Sequence, residues 1–193
     1  GKVEHEKTTV GLYFAKEKPA RTMATFEVPP FYGITAGINI PPGKKDYKVR
    51  GKFKVPVDVE LVSISGHAHL IWESMKATAR FPDKSTKPLL YIPRWEFNWQ
   101  RDYIYKEAIR LPKDTVVDVE LSYNNSEENP ANPFNPPRRI LWGESTNAEM
   151  GRILFVCVPV RESELSVLRR TAGTGLDRIP LGILNRFQKP DGK

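Results

Sequence analysis

The 193-residue sequence predicts an all-β fold, an antiparallel jelly-roll-like β-sandwich with a short C-terminal helix and an irregular tail. Three observations lead there. Seventeen prolines and thirteen glycines punctuate short apolar segments along the whole chain, the mark of many strands joined by turns. Several of those segments alternate apolar and polar residues, the period of a strand with one buried face. No apolar run approaches the ~18 residues of a membrane span.

The elements follow in order. TVGLYFA (9–15) and TMATFEV (22–28) read as the first strands. ITAGINI (34–40) comes after the turn-like PPFYG, and IPPGKKDY leads into YKVRGKFKV (47–55), which alternates cleanly. Residues 57–81 are the longest β-like stretch, and their parity changes twice. Val57, Val59 and Leu61 are apolar at odd positions, Val62 to Trp72 at even ones, and Met75, Ala77, Ala79 and Phe81 at odd ones again. Such phase changes predict a bulge or a corner between strands. PDKSTKP (82–88) is a loop, LLYI a short strand and PRWEFNWQRDY an aromatic-rich segment. Val117, Val119, Leu121 and Tyr123 share one face of a further strand. Residues 124–139 form a long loop rich in proline and asparagine. ILW starts a strand, and residues 151–160 form a strongly apolar one. The sandwich domain is thus assigned to 1–160 and a helical, then irregular, extension to 161–193. In the extension Leu165 and Leu168 stand three apart, with Ser163 placed to cap.

Composition narrows the function. The single cysteine, Cys157, allows neither an internal disulfide nor a CxxC site, and its apolar surroundings predict a buried thiol. The net charge of +7 is spread among acids and strand positions, so a solvated basic surface is expected rather than a nucleic-acid site. The chain begins at Gly1 without a methionine, which suggests a processed or excised piece.

The unusual feature is SISGHAHLIW (63–72). Only three histidines occur in the chain, and two of them, His67 and His69, stand one residue apart. Side chains at i and i+2 of a strand point to one face, so the pair aims two imidazoles at one region. Neutral imidazole suits copper, zinc, nickel or iron. Two ligands bind weakly, and a third donor must come from elsewhere. His5 lies near the terminus, and Glu60 and Glu73 lie away from the pair. Met150, behind the polar loop GESTNAE and before an apolar strand, is the more interesting candidate. Taken apart, a structural histidine pair and a core methionine explain the same residues. The tryptophans at 72, 95, 99 and 142, with Tyr91, Tyr103 and Tyr105, are expected in the core rather than around a pocket.

GHAHL, followed some eighty residues later by GESTNAEMG, resembles the C-terminal domain of copper type II, ascorbate-dependent monooxygenases, the family of peptidylglycine α-hydroxylating monooxygenase and dopamine β-monooxygenase. The likeness extends over about 30–160 and includes AGINIPPGKKDY. It implies a jelly-roll-like sandwich in which His67, His69 and Met150 are the three protein ligands of one copper ion. It also implies an extracytoplasmic home, periplasmic or secreted. The chain departs from that pattern in three ways. The family's first domain, whose electron-donating copper uses three further histidines, has no counterpart here. The peptide hydroxylase's disulfides are impossible. Its substrate-gripping arginine and tyrosine fall where this chain has Ser65 or its neighbours and Leu154. Three functions therefore stay open: a mononuclear copper-binding redox domain of a larger protein, one catalytic half of a monooxygenase, or a sandwich that binds protein or carbohydrate without metal. The expected partner is a redox protein or the missing copper domain, with no nucleic acid and no membrane span.

Overall fold

A computed structural model describes residues 3, 5, 7–17, 19–29 and 36–172. Its strands are β1 (Ala24–Val28), β2 (Asn39–Ile40), β3 (Lys44–Lys54), β4 (Val59–Ala68), β5 (Trp72–Arg80), β6 (Thr86–Ile92), β7 (Asp102–Leu111), β8 (Val116–Asn125), β9 (Ile140–Leu141) and β10 (Gly151–Pro159). A 3-10 turn at Glu162–Glu164 leads into the helix α1 (Leu165–Ala172). The first main sheet runs β1-β10-β4-β7 and the second β3-β8-β5-β6, with β2 and β9 forming a small pair. Every pairing between these strands is antiparallel. Of the eight strands in the main sheets, only β5 and β6 follow one another within one sheet. The chain otherwise passes from sheet to sheet, and the result is the all-β, jelly-roll-like sandwich that the sequence predicts.

Alternation explains the strands. Val49, Gly51 and Phe53 of β3 face inward while Lys48, Arg50, Lys52 and Lys54 face water. On β8, Val117, Val119, Leu121 and Tyr123 are buried, and on β10 Ile153, Phe155 and Cys157 are. Phe26 stacks on Phe155 at 4.6 Å and on Phe53 at 4.1 Å, joining β1 and β10 of one sheet to β3 of the other. Such ring pairs add about 0.5–1.5 kcal/mol beyond their buried area. Cys157 is buried, and burial pushes its thiol up to about 12.

The two parity changes in 57–81 have separate causes. At Val62 the register of β4 slips against both neighbours, which is a bulge. Further on, residues 69–71 turn the corner from the first sheet to the second, and another slip lies between Trp72 and Ser74. Two expectations need correction, and one strand went unread. Residues 9–15 form no strand; Val10, Leu12, Tyr13 and Phe14 are exposed, and alternation without a neighbouring edge leaves the backbone unpaired. Ser163 lies within the 3-10 turn, whose N-cap is Arg161 with no side-chain cap bond. β7 was hidden because it is an edge strand, exposed along most of its length. Residues 34–35 of ITAGINI and the tail from 173 lie outside the described residues. In α1, Leu168 is buried and Leu165 packs against the core. Among the described residues no helix is long and apolar enough to cross a membrane.

Candidate metal centre

His67 is the last outward-facing residue of β4, and His69 opens the corner that leaves the first sheet. Alternation sends Ile64, Gly66 and Ala68 toward the core and leaves Ser65 and His67 on the outer side. The β4–β10 ladder sets Arg152 opposite His67 and Gly151 opposite Ala68. Met150 and His69 are the next residues on the two segments, one step past the last pair of that ladder. Residues directly opposed across an antiparallel pair share a face. The ladder thus brings the segments that carry His67, His69 and Met150 to one end of the first sheet, from positions eighty residues apart in sequence.

The inner side of this end is built of small residues for a steric reason. A Cβ on Gly151 would stand 1.9 Å from the hydroxyl of buried Tyr123, and one on Gly66 would stand 2.3 Å from Sδ of Met75. The glycines of GHAHL and AEMG thus let the second sheet approach directly beneath the histidines.

The two imidazole rings lie 5.4 Å apart with their planes at 80°. Gln100 donates from Nε2 to the Phe97 carbonyl at 2.9 Å, which leaves its Oε1 as the acceptor for His67 Nδ1–H at 2.8 Å. The Nδ1–H of His69 donates to the Ala148 carbonyl at 3.1 Å, and that oxygen can only accept. Both rings are therefore held as Nδ1–H tautomers, with the lone pair on Nε2. An outer partner on one ring nitrogen is the usual arrangement of a metal-ligating histidine. His67 is half-buried, and desolvation holds its pKa below the ordinary imidazole value of 6.5. The Gln100 bond opposes that shift, while the charges of His69 and Arg152 add to it.

Behind the rings lies a buried acid. Glu149 has no exposed surface. Its Oε1 accepts the main-chain N–H of His69 at 2.6 Å and of Met150 at 2.8 Å, and its Oε2 accepts that of Ile71 at 3.2 Å. Burial pushes its pKa up to about 8, against the opposing effect of these three bonds. The carbonyl of His69 accepts Trp95 Nε1–H at 2.9 Å, and Trp95 packs on Trp72 at 4.8 Å. Tyr123 donates its hydroxyl to the Met150 carbonyl at 3.3 Å. Trp72 and Trp95 thus support the corner from within, whereas Trp99 is 58% exposed. Trp142 is partly buried against the core, as is Tyr105, while Tyr91 is exposed.

Among the described residues no group of three His, Cys, Asp or Glu side chains is placed to hold a metal ion. A site at His67 and His69 consequently needs a donor of another kind, such as the thioether of Met150. His5 is exposed in the N-terminal segment, Glu60 is paired with Arg21, and Glu73 accepts a long bond from Ser122. Ser65 and Leu154 oppose each other on the outer face of β4–β10, so no arginine–tyrosine grip for a carboxylate exists at those positions. Arg152, opposite His67, is paired with Glu27. The sequence reading missed Gln100, Ala148 and Glu149. Glu149 alone carried a signal, as an acid abutting a strongly apolar strand. No family model matches this chain, and no curated protein does.

Proposed function

We propose that this chain is a mononuclear copper-binding domain of a larger redox protein, with the ion held by His67, His69 and Met150. One observation carries the reading: both imidazoles already spend Nδ1–H on fixed acceptors, leaving Nε2 as the donor on each. Two imidazole nitrogens and a soft thioether suit Cu(I), and Cu(II) accepts the same set with water in its remaining positions. Zinc gains little from a thioether, so the methionine favours copper.

Copper bound here supplies one-electron redox chemistry and an open position for oxygen or another small ligand. The chain's own residues supply orientation. Gln100 and the Ala148 carbonyl fix the ring planes, and Trp95, packed on Trp72, holds the His69 carbonyl. The resemblance to the oxygen-activating domain of ascorbate-dependent copper monooxygenases makes the partner an electron donor, the missing copper domain or a separate redox protein. It also favours an extracytoplasmic setting. With three histidines in total, this chain cannot build a second, three-histidine copper site beside the first. The isolated chain is accordingly expected to show no ascorbate-driven hydroxylation.

The test is metal analysis with electron paramagnetic resonance of the purified chain. A type II Cu(II) signal with nitrogen couplings is expected, lost in both His67→Ala and His69→Ala. Met150→Leu is close in volume and keeps the fold, but should weaken Cu(I) more than Cu(II). Unchanged copper uptake in the histidine variants would falsify the proposal.

A further inference from the structure

The sheet hydrogen bonding that aligns β4 with β10 stops short of the residues that matter most. Its last pair is Gly151 with Ala68, one step before Met150 and His69. Beyond that step the chain turns away through His69, Leu70 and Ile71 into the second sheet, and its N–H groups leave the reach of β10 carbonyls. Those of His69 and Ile71, and that of Met150 on the other segment, converge instead on Glu149. We infer that Glu149 is a positioning residue, whose carboxylate takes over from the ladder where it ends and fixes His69 relative to Met150. This rests on the copper reading above.

The chemistry fits a carboxylate better than its nearest substitutes. Three N–H donors need acceptors on both oxygens, and a carboxyl group places an acceptor lone pair on each of them, protonated or not. Glutamine keeps one carbonyl oxygen for two of the donors and turns an NH2 group toward the third. Leucine fills the space and leaves three N–H groups without partners. Glu149 is in turn held by the β9 loop, its N–H donating to the Leu141 carbonyl at 3.0 Å and its carbonyl accepting Gly143 N–H at 3.1 Å. The preceding residue, Ala148, presents the carbonyl that orients the His69 ring. The tripeptide Ala148–Glu149–Met150 therefore addresses His69 through ring, main chain and register together.

The experiment compares wild type, Glu149→Gln, Glu149→Leu and Met150→Leu, each loaded with Cu(I). Affinities come from competition with a chromogenic chelator, and copper X-ray absorption reports nitrogen and sulfur neighbours. Wild type should show sulfur. Glu149→Gln should keep the imidazole nitrogens, lose or lengthen the sulfur contact and bind Cu(I) about 10–100-fold more weakly, the usual effect of altering a residue behind a ligand. Glu149→Leu should exceed that loss. A merely structural acid would lower the melting temperature and leave the sulfur signal intact in every variant that folds. That result overturns the inference while the copper reading stands. A wild type that takes up no copper, or takes it up without sulfur, overturns both. Should neither Glu149 variant fold, amide hydrogen exchange on wild type decides. His69, Ile71 and Met150 should exchange slowly and together, and rapid exchange at any one of them removes the clamp.

Discussion

On the outer face of the second sheet Glu120 accepts Lys48 at 3.0 Å and Arg50 at 2.8 Å, and Asp118 accepts Lys52 and Arg80 from the strands on either side. At the end of the first sheet Glu149 takes three main-chain N–H groups in full burial. The same carboxylate chemistry gives two different results. Glu120 remains 37% exposed, so water and salt already satisfy it without its cations, and removing a partner changes little. Glu149 has left water, a cost that raises its pKa and that its three bonds partly offset. The first arrangement decorates an edge strand with lysines, which discourages pairing with another chain. The second fixes the geometry of a corner. Charge density alone would have singled out the first region; burial and donor count single out the second.

The contrast can be broken most severely at Gly151. Its inner side meets the hydroxyl of a fully buried tyrosine, which has no room to yield, so Gly151→Ala should cost about 2–3 kcal/mol, the upper range for overpacking. Gly66→Ala meets the flexible end of Met75 and should cost less, about 1–2 kcal/mol. Chemical denaturation of the two variants checks the order, and equal costs would mean that Tyr123 can shift as readily as Met75.

Next in size is Gln100→Leu, which removes the acceptor for His67 Nδ1–H and frees the ring to turn. Copper affinity should fall about tenfold, read by the same chelator competition, with little change in melting temperature because Gln100 is exposed.

A smaller effect concerns pH. The folded pKa of His67 is lowered by burial, so the folded chain binds fewer protons than the unfolded one just below pH 6.5. The stability tied to this group is complete above that value and is lost as pH falls through the lowered folded value. In the metal-free protein the ring protons of His67 should titrate with a midpoint below 6.5, and Gln100→Leu should lower it further, since that bond favours the charged form. A midpoint above 6.5 would show that the ring is better solvated than its surroundings indicate.

The smallest expected effect belongs to the ion ladder. Glu120→Gln should change stability by about 0–1 kcal/mol and lose even that in high salt. A larger, salt-insensitive loss would place Glu120 in the same class as Glu149 and remove the distinction.

Local pattern carried much of this protein. The alternation of Lys48, Arg50, Lys52 and Lys54 with Val49, Gly51 and Phe53 marked both a strand and its buried side, because a pleated backbone has a period of two whatever lies next to it. The spacing of His67 and His69 aimed two imidazoles at one region for the same reason, though His69 is buried at the corner beyond β4. The parity changes near Leu61 and Trp72 announced a bulge and a corner. What pattern could not supply was partnership. Val10, Leu12 and Phe14 alternate as a strand does, yet no sheet edge receives them, while Asp102–Leu111 pairs as an edge strand with little apolar signal. Likewise nothing in the spelling of Gln100 or Ala148 says that they orient imidazoles. Their roles depend on loops that fold back across thirty-three and seventy-nine residues. Sequence determined which side chains face outward, since that is fixed by neighbours along the chain. Tertiary structure alone decided which of them meet, and that a buried acid rather than a surface one ties the meeting point together, since register and burial are properties of the assembled sheets.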